Sequence, residues 1–138
     1  MVEDVIKIAF NTQTPVSDIK KVKNYLFYEY HDLDGDYKLF DASFEIAESW
    51  RRLAFDFDNV KPHDLLLIKH ELLESQLVDL GYSQNEAHTI ASKAYDYPNE
   101  SKNYYNSMLT LEQLKQKVKS QKIERSSSLK LDKEELDL

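Results

Sequence analysis

Residues 62–81 read PHDLLLIKHELLESQLVDLG, and residues 82–98 continue as YSQNEAHTIASKAYDYP. Pro62 has the fixed backbone that suits a first helical position, Asp64 puts a carboxylate in the first turn, and Gly81 is the residue type that closes a helix. A helix opened by Pro62 and Asp64 therefore runs to Leu80 and stops at Gly81. Ser83 and Glu86 form a Ser-x-x-Glu capping box, which starts a second helix at about Gln84 and carries it to about Tyr95, before Pro98. The connection is so short that the two helices must fold back on each other as an antiparallel hairpin.

At about 100° per residue, the first helix of this hairpin is apolar nearly all round. Leu66, Leu73, Leu77 and Leu80 share one face, Leu67 and Val78 a second, and Leu65, Leu72 and Ile68 the opposite side. Such a helix must be largely buried. His70 and Glu74, four residues apart, lie one above the other in the gap between the first two apolar sectors, so both point inward. Glu71 falls away from the main apolar face.

Working outward, Val2, Val5, Ile6 and Ala9 give helical spacing to the first ten residues. Thr14, Pro15 and Ser17 supply start signals for a helix through about Tyr28, with Ile19, Val22, Tyr25 and Leu26 on one face. His31 to Asp36 reads as a polar turn or loop. Asp41 is placed to cap a helix to about Phe55, with Phe44, Ala47, Trp50, Arg51 and Ala54 as its stripe and Trp50 as its anchor. Asp56 to Lys61 is a connection. After Pro98 a helix is expected from Asn99 or Ser101 to about Lys119, carrying Tyr104, Tyr105, Met108, Leu111, Leu114 and Val118. From Ser120 onward the serines and charges have the composition of a weakly ordered tail.

The fold class is therefore mainly α: a compact helical domain built around a buried central helix and an antiparallel helix hairpin, with room for minor β. One domain over residues 1–119 and a charged tail over 120–138 account for the chain, since 138 residues are the size of one domain. Only two glycines and three prolines leave little turn chemistry for an all-β sandwich. The absence of cysteine rules out disulfides and thiolate zinc sites, so any metal must be held by His, Asp and Glu. A net charge of -7 argues against nucleic-acid binding, which needs a clustered positive surface. No apolar run approaches the roughly 20 residues needed to cross a bilayer, and Met-Val-Glu-Asp lacks the regions of a signal peptide, so a soluble protein without membrane partners is expected.

Glu74, buried without a partner, would cost several kcal/mol, so a cation, a metal or a set of donors must meet it. In one reading His70 and Glu74 are ligands of a divalent metal, with Glu71 beside them as general base. In the other they hydrogen-bond each other or a neighbouring tyrosine inside a bundle. His88, beside the stripe of Ala87, Ala91 and Ala94, is the best third ligand, because it lies seven residues beyond Gly81 while Glu74 lies seven before it. His70, Glu74 and His88 are then expected to converge within roughly 3 to 5 Å. His31 is a weaker candidate, and His63 reads better as part of the helix cap. Asp32, Asp34 and Asp36 invite a calcium reading that fails, because the glycine comes too early and no glutamate stands at the twelfth loop position. The nine tyrosines fall largely into two groups, Tyr25 to Tyr30 and Tyr95 to Tyr105, and are expected at core edges or on a binding surface.

The series Ala47-Glu48-Ser49-Trp50-Arg51-Arg52-Leu53, Pro62-His63-Asp64-Leu65, His70-Glu71-Leu72-Leu73-Glu74, Glu86-Ala87-His88 and Tyr95-Asp96-Tyr97 resembles a small zincin-like domain. Such domains are associated with the C-terminal parts of bacterial polymorphic toxins and of phage minor head proteins. The resemblance spans about residues 25 to 105. It implies metal-dependent hydrolysis of peptide bonds, with zinc as the cofactor, His70 as a ligand, Glu71 as the water-activating base and a protein as substrate. It also implies action in the cytoplasm of a bacterial host, or delivery within a larger toxin or phage particle. The departure is Glu74, where a zincin helix carries the second His of His-Glu-x-x-His. A carboxylate can ligate zinc, yet the change leaves open a degenerate domain. The alternative is a non-catalytic phage or mobile-element protein that binds a protein partner through its acidic, tyrosine-rich surface.

Overall fold

In the computed structural model, residues 3–33, 36–39 and 43–136 are described, with side chains over 3–29 and 43–121. The described residues form six α-helices and one pair of β-strands: α1 (Glu3–Thr12), α2 (Val16–Phe27), β1 (Tyr30–Leu33), β2 (Asp36–Leu39), α3 (Phe44–Phe55), α4 (Pro62–Asp79), α5 (Gln84–Ala94) and α6 (Tyr97–Leu136). The protein is mainly α. Two compact units divide it at Ser101, and the first holds the core.

In that first unit α4 packs against α2, α3 and α5, while α1 packs against α2 and α3. Val5, Ile8 and Ala9 of α1 meet Ile19, Val22 and Leu26 of α2, Trp50 and Leu53 of α3, and Leu67 and Ile68 of α4 in one apolar cluster that includes Tyr97. The face expected for α2 is the buried one, Ile19, Val22, Tyr25 and Leu26 included. Trp50 is the anchor of α3: its ring meets Phe27 edge-on at 5.5 Å and its indole N–H donates to Asp4 Oδ2 at 2.9 Å. Asp4 also accepts from Lys23 at 2.8 Å, so one carboxylate ties α1, α2 and α3 together.

Gly81 closes α4 as expected, with φ of +103° and the paired bonds Gly81 N–H to Val78 O and Tyr82 N–H to Leu77 O, both 3.0 Å. Ser83 caps α5, accepting from Glu86 N at 3.1 Å and donating to the Glu86 carboxylate at 2.9 Å. These two devices set the α4–α5 hairpin.

Several expectations are corrected. In α1 the buried residues are Val5, Ile8 and Ala9, and Ile6 is exposed. The cap of α3 is Ser43, whose hydroxyl accepts from Ile46 N at 3.2 Å; Asp41 lies outside the described residues. The buried stripe of α3 is Ile46, Ser49, Trp50, Arg52, Leu53 and Ala54, whereas Phe44, Ala47 and Arg51 face solvent. The connection after α3 holds a 3-10 turn at Phe57–Asn59. The His31 to Asp36 stretch contains antiparallel strands, with Tyr30 opposite Leu39 and Leu33 opposite Asp36. Asp34 between them lies outside the described residues, and the carboxylate readings of Asp32, Asp34 and Asp36 rest on side chains that do too, as does that of His31.

Two further differences concern α4 and α6. The fully buried residues of α4 are His63, Asp64, Leu67, Ile68, His70, Glu71, Glu74 and Ser75, so its innermost stripe is largely polar, while Leu65 and Leu80 are exposed. Polar groups share the inner face with Leu67 and Ile68, and the other leucines flank it. The last helix, expected to reach about Lys119, continues to Leu136. The second unit takes in this helix from residue 102 onward. Met108, Leu109, Leu111, Leu114 and Val118 lie exposed along it. Among the described residues no helix is long and apolar enough to cross a membrane.

Candidate metal centre

The joint between α3 and α4 holds the central helix in place. Asp64, with no exposed surface, accepts from Arg52 Nε at 2.7 Å, Arg52 Nη2 at 2.9 Å, Ser49 Oγ at 2.6 Å and Lys61 N at 2.8 Å. Burial alone would raise the Asp64 pKa, but the Arg52 fork with the Ser49 and Lys61 donors holds it below the usual carboxylate value. His63 sits inside the first turn of α4, its Nε2 3.3 Å from Asp64 Oδ1, and burial pushes its pKa down. This places His63 in the joint and away from ligation.

Two turns further along α4, His70 and Glu74 face α5. His70 is 1% exposed and Glu74 2%. His70 Nε2 lies 3.0 Å from Glu74 Oε2, and His88 Nδ1, reaching across from α5, lies 3.4 Å from the same oxygen. One ligating atom from each of the three side chains falls within 4.8 Å of the others, inside the interval expected from the hairpin. The imidazole rings of His70 and His88 stand 5.2 Å apart and nearly perpendicular. The His88 side chain is 52% exposed, so it forms the solvent-facing rim of a site whose floor is buried.

The hydrogen bonds around these groups decide their chemistry. His70 Nδ1 lies 3.0 Å from the carbonyl oxygen of Tyr95, which can only accept, so Nδ1 carries a proton and Nε2 is the nitrogen turned to Glu74. Glu74 Oε1 accepts from the Tyr25 hydroxyl at 3.0 Å and from Gln84 Nε2. Burial would raise the Glu74 pKa, but the His70 hydrogen bond, the two histidines and Tyr25 hold it low. Burial would lower the His70 pKa, but the Glu74 hydrogen bond and the charge of Glu71 raise it above the usual histidine value. Burial, with the Glu74 charge, pushes the Tyr25 phenol far up and keeps it a donor.

A fit to a cation follows from these observations. Ligands bound tetrahedrally at about 2.0 to 2.2 Å stand roughly 3.3 to 3.6 Å apart, close to the 3.0 and 3.4 Å separations of Glu74 from the two histidines, while the three ligand atoms together lie within 4.8 Å. A histidine that donates its second N–H to a backbone carbonyl and a carboxylate held by outer donors are the supports that metal ligands need. The set His70, Glu74 and His88 can hold a metal ion. The same contacts also satisfy the purely structural reading, because Glu74 meets a histidine and a tyrosine in the absence of any ion.

Glu71 differs from its expected position. It is 5% exposed, and no hydrogen bond or ion pair reaches its carboxylate among the described residues. Desolvation, with the nearby Glu74 charge, pushes its pKa up to about 8. Tyr25, Gln84 and the Tyr95 carbonyl have no local signature that marks them as site residues. Tyr25 is 49 positions from Glu74 in sequence, and only the fold brings them together. No family model, no curated protein and no solved structure matches the chain.

Proposed function

We propose that the protein is a small zincin-like, zinc-dependent hydrolase domain acting on peptide bonds. The observation that supports this most is the meeting of His70, Glu74 and His88 at one point, with the protonated Nδ1 of His70 tied to the Tyr95 carbonyl and Nε2 left to ligate. Two nitrogens and one oxygen suit zinc better than calcium or magnesium, which take oxygen donors. Bound there, the cation would supply Lewis-acid polarisation of a substrate carbonyl and acidify a nearby water.

The chain's own residues supply the rest. The half-exposed His88 leaves the site open on its solvent side, where an extended peptide can approach. Glu71 neighbours the ligand His70 in sequence, and a cation held by His70 would favour its carboxylate form. It is the proton acceptor of the proposal. Incubating the zinc-loaded protein with an unfolded protein substrate tests the reading. Cleavage that stops with chelator and in Glu71→Gln supports it, and equal cleavage by wild type and Glu71→Gln removes Glu71 from the mechanism.

A second reading keeps the fold without the hydrolysis: an interaction module that binds a protein partner. It is favoured by the exposed aromatic side chains Phe10 (84%), Phe44 (69%) and Tyr28 (62%) on an acidic chain. Intact substrate after prolonged incubation with zinc favours this second reading.

A further inference from the structure

The two oxygens of Glu74 are used differently. Oε2 faces His70 at 3.0 Å and His88 at 3.4 Å, whereas Oε1 faces the Tyr25 hydroxyl at 3.0 Å and the Gln84 amide. Gln84 also donates to the Tyr25 hydroxyl at 2.6 Å, which closes a triangle of Tyr25, Gln84 and Glu74. The donors are assigned by elimination. A carboxylate only accepts, so the Tyr25 proton points to Oε1, and the Gln84 group beside it must be the NH2, whose two hydrogens match its two acceptors.

We infer that Tyr25 and Gln84 are positioning residues for a cation at this site: they hold Glu74 Oε1 so that Oε2 stays turned toward His70 and His88. This rests on the reading of His70, Glu74 and His88 as cation ligands. A free carboxylate on a helix swings about its side-chain torsions and offers either oxygen, and rigid outer donors remove that freedom. Tyr25 reaches the site from α2, which packs against α4 as α5 does, and is itself locked by burial. Gln84 comes from α5, four residues before His88 and on the same face, so the docking of α5 delivers one ligand and one positioning donor together. Among the described residues, every side-chain hydrogen bond from α5 to another helix ends on Tyr25 or Glu74.

The test is a cobalt(II) titration of the full chain, following the visible absorption of the ion and measuring affinity by chelator competition. Tyr25→Phe keeps the ring, and Gln84→Ala changes a residue only partly buried, so neither removes core packing. Each variant should weaken cobalt binding about 10- to 100-fold and change the visible spectrum. Wild-type affinity and spectrum in both variants would overturn the positioning role while leaving the cation site standing. A weaker affinity with an unchanged spectrum, matched by a lower thermal midpoint of the cation-free protein, would overturn it as well by showing a general loss of structure. A wild-type chain that takes up no cobalt overturns both the positioning role and the site.

Discussion

Replacing Arg52 with alanine removes the cation from the joint that seats α4. In the wild type, Arg52 is 7% exposed and forks onto both oxygens of Asp64, which is fully buried. The variant leaves the Asp64 carboxylate with Ser49, the Lys61 amide and the His63 ring 3.3 Å away, but without the permanent charge of a guanidinium. Breaking a buried pair in this way costs about 3 to 5 kcal/mol, a large part of the roughly 5 to 15 kcal/mol by which a domain of this size is stable. Urea unfolding followed by the fluorescence of Trp50, the single tryptophan, measures the loss at pH 7. The sign with pH is fixed by the depressed Asp64 pKa. Its stabilising contribution is present above the unfolded value of 3.8 and is lost as pH falls through the lower folded value, so the gap between wild type and Arg52→Ala should narrow below about pH 4. A further variant, Arg52→Met with Asp64→Leu, removes both charges and should recover much of the loss. An Arg52→Ala protein within about 1 kcal/mol of wild type would refute the reasoning, because a uncompensated buried carboxylate cannot be that cheap.

Other expected outcomes are more local. Glu71→Gln should raise the stability of chelator-treated protein at neutral pH, because burial lifts the Glu71 pKa from 4.5 to about 8 and its contribution is lost as pH rises through that window. The gain should be near zero at pH 4 and reach a few kcal/mol, about 3, at pH 7, as denaturant curves at the two values will show. Gly81→Ala should cost about 1 to 2 kcal/mol from its positive φ alone, since a Cβ there meets nothing within 4 Å; thermal unfolding checks this. Asp4→Ala should cost about 1 to 3 kcal/mol by leaving the Lys23 ammonium and the Trp50 indole N–H without their shared acceptor, measured by urea unfolding.

The hairpin and the meeting of Glu74 with His88 were legible in sequence because their signals are local. Gly81 and the Ser83–Glu86 box fix the turn, and equal offsets from that turn bring Glu74 and His88 to one height. The α3 stripe was not legible for the opposite reason. Its buried face includes Ser49 and Arg52, polar residues made tolerable only by Asp64, so apolar spacing pointed instead to Phe44 and Ala47. The same effect hid the inner face of α4, where Asp64, Glu71 and Glu74 lie deeper than Leu65 or Leu80. In the β hairpin, Asp34-Gly35 is a two-residue turn signal, but the flanking strands are four residues each and strongly polar, which masked their alternation. Tyr25 and Gln84 carry no signal in their own neighbourhoods, and their role depends on three helices meeting.

The central claim is that His70, Glu74 and His88 form a cation site. The most direct measurement is the zinc content of the full chain, purified without chelator and compared with His70→Ala and His88→Ala. His88 is half-exposed, so His88→Ala leaves the core untouched and separates loss of a ligand from loss of the fold. One zinc per chain in the wild type, and little in either variant, is the predicted result. A folded wild type without zinc even after incubation with excess metal, or zinc retained equally by both variants, would contradict the account.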